Sequence, residues 1–171
     1  MTFVLLQDTD VLWLRSPLGN FDPSYELSIS CKFSSDGERA DSMQEGGIFF
    51  MKANEAALEF LKHWKLSKFL YLRSNAEESL CTTITQNEDI ADAYGVRVHH
   101  IDTNQFGGFC QLNNDMFETV YTIHANCCDD LTSKVHDMTI VLDDWIRFRK
   151  RVKNYNATEN MTLRWPQKCI G

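Results

Sequence analysis

The sequence predicts an α/β fold, because short apolar runs typical of strands alternate with longer segments of helical periodicity. The first run, residues 3–7, is apolar and ends abruptly at Asp8-Thr9-Asp10. The clearest helix begins near Leu131, where apolar residues recur at helical spacing as far as Val152. The chain contains no internal repeat. We therefore expect an α/β fold with a mixed sheet flanked by helices.

The other elements follow in order along the chain. We expect strands at 27–33, 47–52, 96–101 and 120–125, a loop at 34–44 and a glycine-bearing loop at Phe106-Gly107-Gly108-Phe109. Asn54 is placed to cap a helix, and a second helix is expected near Asn75. We also expect that strand 3–7 is buried and that the chain begins in mid-domain, without the N-terminal strands. Residues 1–153 would then be the C-terminal portion of a larger domain, and 154–171 a polar tail.

Composition excludes some classes of protein. The chain has 171 residues and a formal net charge of -7, so it lacks the basic surface of a nucleic-acid-binding protein. At 43% hydrophobic residues it can bury a core, and it contains no apolar stretch long enough to span a bilayer. Its six cysteines form no C-x-x-C pair, which leaves disulfides or buried thiols open. Two glycosylation sequons, at Asn156 and Asn160, favour the secretory lumen.

The Asp8-Thr9-Asp10 motif is the sharpest indication of chemistry. In open α/β sheets, ligands bind at the carboxyl ends of strands, where this motif lies. Side chains two residues apart in an extended segment point the same way, so both carboxylates can face one ligand. Carboxylate oxygens suit Mn²⁺ or Mg²⁺. The alternative is an acidic loop whose side chains cap neighbouring backbone amides.

Several separated blocks of sequence resemble one enzyme family. The segment from Asp8 to Pro17 resembles the D-x-D-x-x-W-L-R-x-P signature of a nucleotide-diphospho-sugar transferase family. The resemblance continues, in the family's order, through Gly46-Gly47-Ile48-Phe49-Phe50, Phe106-Gly107-Gly108-Phe109-Cys110, His124-Ala125-Asn126-Cys127-Cys128, Lys134, His136-Asp137 and Leu142-Asp143-Asp144-Trp145. The chain is similar to the plant members of glycosyltransferase family seventy-seven, which include cell-wall xylosyl- and arabinosyltransferases.

The resemblance implies a GT-A-like (Rossmann-like) fold and a retaining transfer from a nucleotide sugar, most simply a UDP-linked one, to a glycan or glycoprotein acceptor. It also implies a Golgi type II membrane protein whose anchor precedes the catalytic domain. Asp10 would bind the metal directly, and Asp8 would lie nearer the donor ribose or a metal-bound water. His124 would be the third protein ligand of the metal. A core histidine is the alternative for His124.

Other site residues follow from the same resemblance. Lys134 would meet a diphosphate oxygen, unless it is simply a solvated lysine in the first helical turn. Gly46 and Gly47 would let the donor approach the backbone, or would merely form a turn. Glu77-Glu78-Ser79 stands where the family has a catalytic acidic segment that opens a helix, with Ser79 in place of the second acid.

Two alternative functions remain open from the sequence. The first is a degenerate, non-catalytic transferase homologue with a sugar-binding or chaperoning surface, which Ser79 favours. The second is a haloacid-dehalogenase-like phosphatase, which also places D-x-D after a buried strand. The phosphatase is disfavoured because Asp143-Asp144 falls inside the strongest predicted helix. A zinc site at His124, Cys127 and Cys128 is disfavoured too, since adjacent cysteines rarely share a tetrahedral ion.

Overall fold

A computed structural model describes residues 2–31, 45–70, 88–109, 116–153 and 163–169. The seven strands of this part are β1 (Phe3–Gln7), β2 (Val11–Trp13), β3 (Leu27–Cys31), β4 (Glu45–Lys52), β5 (Val98–His100), β6 (Phe106–Gly108) and β7 (Thr122–His124). The helices are α1 (Glu55–Leu70), α2 (Glu88–Ala93) and α3 (Leu131–Lys153). The predicted mixed α/β class, with strands flanked by helices, is confirmed.

The described strands form two small mixed sheets. The first has the order β1-β4-β3-β5, with antiparallel β1/β4 and β3/β4 pairs and a parallel β3/β5 pair. The second has the order β2-β7-β6, with β2 antiparallel and β6 parallel to β7. Because Val11 lies opposite His124 in the β2/β7 register, the start of β2 and the end of β7 meet at one point.

Each sheet packs against a helix. Phe60 of α1 is fully buried against Leu27 and Met51 of the first sheet. Val141 and Trp145 of α3 pack with Ile123 of the second sheet. The predicted cap of α1 is confirmed, since Asn54 Oδ1 accepts a 2.9 Å hydrogen bond from the amide of Ala57. No helix in the described ranges has the length and apolar character of a bilayer span.

Three sequence-based expectations about individual elements are wrong. Strand β1 is not buried: it lies at the end of its sheet, and Val4, Leu5 and Leu6 are about two-fifths exposed. The segment 106–108 is a strand rather than a loop, because it pairs with β7. The apolar stripe of α3 is not all core, since Leu131 and Val135 lie in solvent. The predicted loop 34–44 and the helix near Asn75 fall outside the described residues.

Residues 163–169, which we call the strap, run along α3 within the predicted polar tail. Leu163 and Cys169 are buried in the core beside Val141 and Trp145. A disulfide joins Cys169 to Cys128. The strap is therefore a packed part of the fold.

The strap is attached to α3 through two buried acids. Asp137 accepts 2.8 Å hydrogen bonds from the amides of Lys168 and Cys169. Asp144 accepts hydrogen bonds from the backbone amide and the guanidinium of Arg164. Burial raises the pKa of the Asp137 carboxyl, but the hydrogen bonds from His136 and the strap amides outweigh this and leave it below its ordinary value. Neither acid was expected to have a structural role, although their spacing puts both on one helix face.

Candidate metal centre

Backbone pairing brings the two halves of the candidate site together. Asp8 follows β1, and its amide donates a 2.8 Å hydrogen bond to the carbonyl of Gly47. Asp10 precedes β2, and its carbonyl accepts a 3.0 Å hydrogen bond from the amide of Ala125. These bonds fix the D-x-D turn against β4 on one side and against the end of β7 on the other.

His124 approaches both aspartates, as the sequence predicted. Its Nε2 atom lies 3.2 Å from Asp10 Oδ1 and 3.5 Å from Asp8 Oδ2. One possible ligand atom from each residue lies within 4.8 Å of the other two, so the three could hold a metal ion. The imidazole faces two carboxylates, which a histidine enclosed by apolar core residues would not do. Its role as a ligand stays a prediction.

Lys134 joins this cluster through Asp10. Its Nζ atom donates a 2.6 Å hydrogen bond to Asp10 Oδ2, the carboxylate oxygen that does not face His124. Lys134 is thus paired across the site and is not a purely solvated lysine. Burial raises the pKa of the Asp10 carboxyl, but the Lys134 hydrogen bond and the charges of His124 and Lys134 outweigh it. The net pKa lies below the ordinary value, so Asp10 is ionised at neutral pH.

Two glycines pack directly against His124. Gly47 has φ +68°, and a Cβ atom there would lie 2.8 Å from both Cγ and Nδ1 of the imidazole. Gly108 lies opposite His124 in the β6/β7 pair, and a Cβ there would overlap the His124 carbonyl and the Asn126 side chain. Gly46 lies in β4 beside Gly47. Gly47 therefore makes room for the histidine ring. The predicted contact of Gly46 and Gly47 with the donor stays untested.

We expect Gly47→Ala to displace the His124 ring and lower divalent-cation affinity about tenfold, the usual cost of disturbing a group that orients a metal ligand. Gly95→Ala is the matched control, because Gly95 has φ +71° but open space around it. Both variants should lose about 1 kcal/mol of folding stability from the left-handed backbone. Isothermal titration with Mn²⁺ and thermal unfolding measure the two effects. Equal Mn²⁺ affinities in the two variants would show that the ring position does not matter.

The predicted catalytic segment cannot be compared with this cluster. Glu77, Glu78 and Ser79 lie outside the described residues, so their roles stay predictions. The later acidic pair required by the phosphatase alternative is in α3, and Asp144 is committed to Arg164. Within the described residues, Asp144 of this pair is therefore not available as the second acid of a phosphatase site.

Disulfide bonds join cysteines whose pairing the sequence spacing alone did not predict. Cys128 and Cys169 form a disulfide across a sequence separation of 41 residues, and Cys31 and Cys127 are disulfide-bonded as well. Of the two sequence-based alternatives, disulfides are therefore correct for these four cysteines. The disfavoured zinc site is not formed, because the sulfurs of Cys127 and Cys128 are both bonded to other sulfurs.

Comparison with known proteins identifies the family. Two uncharacterized proteins from Arabidopsis thaliana are 28% and 30% identical to the chain over 90% and 85% of its length. These alignments cover 41% and 43% of the relatives, so the chain spans less than half of their length. No solved structure matches the chain significantly. The family model for nucleotide-diphospho-sugar transferases matches residues 2–138, a span that includes Asp8, Asp10, His124 and Lys134. The chain therefore belongs to the nucleotide-diphospho-sugar transferase family.

Proposed function

We propose that the chain forms the metal-binding part of a retaining glycosyltransferase, which moves a pentose or hexose from a nucleoside diphosphate sugar to a glycan or glycoprotein. The observation that carries this proposal is the convergence of Asp8, Asp10 and His124 in a chain of this family. The nucleotide is most simply UDP, as in the enzymes of glycosyltransferase family seventy-seven that the sequence resembles.

The chemistry of the three residues fits a divalent cation. Ligand bonds of about 2.1 Å in an octahedral shell place adjacent ligand atoms roughly 3 Å apart. The contacts of His124 with the two aspartates, at 3.2 and 3.5 Å, are close to that spacing. One imidazole nitrogen with two carboxylates suits Mn²⁺ better than Mg²⁺, which favours an all-oxygen shell. A bound cation supplies positive charge that neutralises the departing diphosphate.

Lys134 orients the site for this ion. By holding Oδ2 of Asp10, it leaves Oδ1 turned toward His124, so the carboxylate need not rotate when a cation arrives. Its ammonium group also adds positive charge where a diphosphate would lie, which favours the charge that develops on a leaving nucleoside diphosphate. In this proposal the Lys134 ammonium group has two roles: it positions Asp10 and it attracts the diphosphate.

We propose the Golgi lumen as the location, with a cell-wall polysaccharide or glycoprotein as the acceptor. The disulfides support an oxidising compartment, because such bonds rarely persist in the cytosol. The resemblance to plant cell-wall enzymes supports the acceptor class. In that family, attachment to the membrane is through an anchor that precedes the catalytic domain.

A non-catalytic homologue that binds a nucleotide sugar is the second candidate function. Ser79, which stands where the family has an acid, favours it. Both candidates require the cation and the nucleotide, and they differ only in whether the donor is consumed.

The two candidates are separated by one pair of measurements on the chain. We expect calorimetry to detect UDP binding with Mn²⁺ and much weaker binding after the metal is chelated. Release of UDP from UDP-xylose or UDP-arabinose, in the presence of cell-wall oligosaccharides, then distinguishes an enzyme from a binding homologue. An absence of Mn²⁺-dependent UDP binding would refute both candidates.

A further inference from the structure

The connection between β7 and α3 carries one site residue at each end. His124 is the last residue of β7, and Lys134 lies in the first turn of α3. Both contact the same carboxylate, Asp10, through different oxygens. The conformation of residues 125–130 therefore determines whether His124 and Lys134 can reach Asp10 together.

This connection has an unusual backbone that other contacts must hold in place. Cys127 has φ +55°, a left-handed conformation that costs about 1 kcal/mol or more for a residue other than glycine. The ends of the connection are fixed by hydrogen bonds: the amide of Ala125 donates to the Asp10 carbonyl, and Asp130 caps α3 by accepting from the amide of Ser133. Between these ends Cys127 and Cys128 are each disulfide-bonded, and the bond of Cys128 is the attachment to the strap.

The strap makes this attachment rigid, because it is itself bound to α3. Asp137, with a fully buried side chain, accepts hydrogen bonds from the amides of Lys168 and Cys169. The Cys128 sulfur is thus bonded to Cys169, whose own backbone amide is held by Asp137 in the second turn of α3. The disulfide therefore fixes residues 125–130 onto α3, the helix that carries Lys134.

We propose that the Cys128–Cys169 disulfide is a positioning device for the candidate metal site: it holds residues 125–130 so that His124 and Lys134 both reach Asp10. This inference rests on the proposed function, since it assumes that the cluster binds a cation. Cys128 and Cys169 are positioning residues in it, because neither contacts the ligand atoms. Loss of the disulfide should loosen the metal site beyond its general effect on stability.

The test compares two variants that weaken the strap at opposite ends. Cys128→Ala/Cys169→Ala removes the attachment beside the site. Asp144→Asn weakens the ion pair with Arg164, farther along α3, and leaves the disulfide in place. Affinity for Mn²⁺ alone is measured by electron paramagnetic resonance of the free ion, and thermal unfolding is followed for each variant.

We expect both variants to unfold at lower temperature than the wild type. Only the double alanine variant should lose Mn²⁺ affinity, by about tenfold, as is usual when the support of a metal ligand is removed. Asp144→Asn should bind Mn²⁺ within about twofold of the wild type, which is well below the tenfold change expected for the cysteine variant. If the double variant is unfolded in buffer, all three proteins are compared in trimethylamine N-oxide, which favours the compact state.

The outcomes separate this inference from the proposed function. Wild-type affinity in the double alanine variant, or an equal loss in Asp144→Asn, would overturn the positioning role while leaving the metal site intact. A wild-type protein that does not bind Mn²⁺ would overturn the proposed function itself.

Discussion

Replacing Asp10 by asparagine should lower Mn²⁺-dependent UDP binding about 100-fold, equivalent to about 2.7 kcal/mol. Asp10 is the central residue of the cluster, with Oδ1 facing His124 at 3.2 Å and Oδ2 bonded to Lys134 at 2.6 Å. The substitution removes the negative charge that a cation needs. The asparagine side chain also carries an NH2 group, a hydrogen-bond donor, which would face either His124 or Lys134. Calorimetry with UDP and Mn²⁺ measures the loss.

Two further variants make this result specific. Asp8→Asn should have a smaller effect, because the Asp8 carboxylate is 57% exposed and lies farther from His124. Asp143→Asn is the control, since Asp143 is an exposed acid on α3 and its loss changes the net charge equally. Unchanged UDP affinity in Asp10→Asn, with normal thermal unfolding, would remove Asp10 from the metal site.

A large effect on stability is expected at Glu26, which lies just before β3. Its buried carboxylate accepts a hydrogen bond from Lys52 Nζ at 2.9 Å and bonds from the guanidinium and the amide of Arg97 at 2.9 to 3.0 Å. Glu26 thus connects the ends of β3, β4 and β5. Glu26→Gln should destabilise the protein by about 3 kcal/mol, because it leaves the buried Lys52 ammonium without its counter-charge.

The pH dependence of stability should change in the same variant. Hydrogen bonds from Arg97 and Lys52 outweigh burial and lower the pKa of Glu26 from 4.5 to about 2. A carboxyl whose pKa is lower in the folded state stabilises the protein above its unfolded pKa, and that contribution disappears as the carboxyl is protonated. The wild type should therefore lose stability as pH falls from about 4.5 to about 2, and Glu26→Gln should lose less over this range.

A surface ion pair provides the control for Glu26. Glu59 and Lys62 lie 2.6 Å apart on α1, but both side chains are about half exposed. Glu59→Gln should change stability by less than about 0.5 kcal/mol. Urea unfolding of both variants at pH 7 and pH 3 provides the comparison, and a Glu26→Gln protein as stable as Glu59→Gln would show that the buried cluster contributes nothing net.

The sequence predicted that Asp8, Asp10 and His124 lie close together, but it did not predict which contacts hold them there. Asp8 and Asp10 stand out because they follow an apolar run, and His124 because it belongs to a block that resembles the family. The contact of Gly47 with the imidazole depends on the β1/β4 and β2/β7 registers, which local sequence does not specify. Lys134 was expected to meet a diphosphate, and its bond to Asp10 arises from the orientation of α3.

The fold was predictable where hydrophobic periodicity is strong, and less predictable where the pairing of distant strands determines the structure. The existence of β1, α1 and α3 follows from their apolar patterns. An apolar run does not reveal whether a strand lies at the centre or the end of a sheet, which is why the exposure of β1 was missed. The role of Phe106–Gly108 as a strand depends on β7, a partner distant in sequence. Six cysteines allow 15 complete pairings, so the Cys128–Cys169 bond could not be deduced.

The Cys128–Cys169 bond also makes the segment from 128 to 169 a covalent ring that contains all of α3. A protease that cuts the backbone at any one point within this ring leaves both fragments attached to each other. Such a nicked molecule would migrate as a single band on a non-reducing gel and as two bands after reduction. After a cut between Cys128 and Lys134, Lys134 would stay covalently joined to Asp10 through the disulfide, so such a nick would not release it from the candidate metal site.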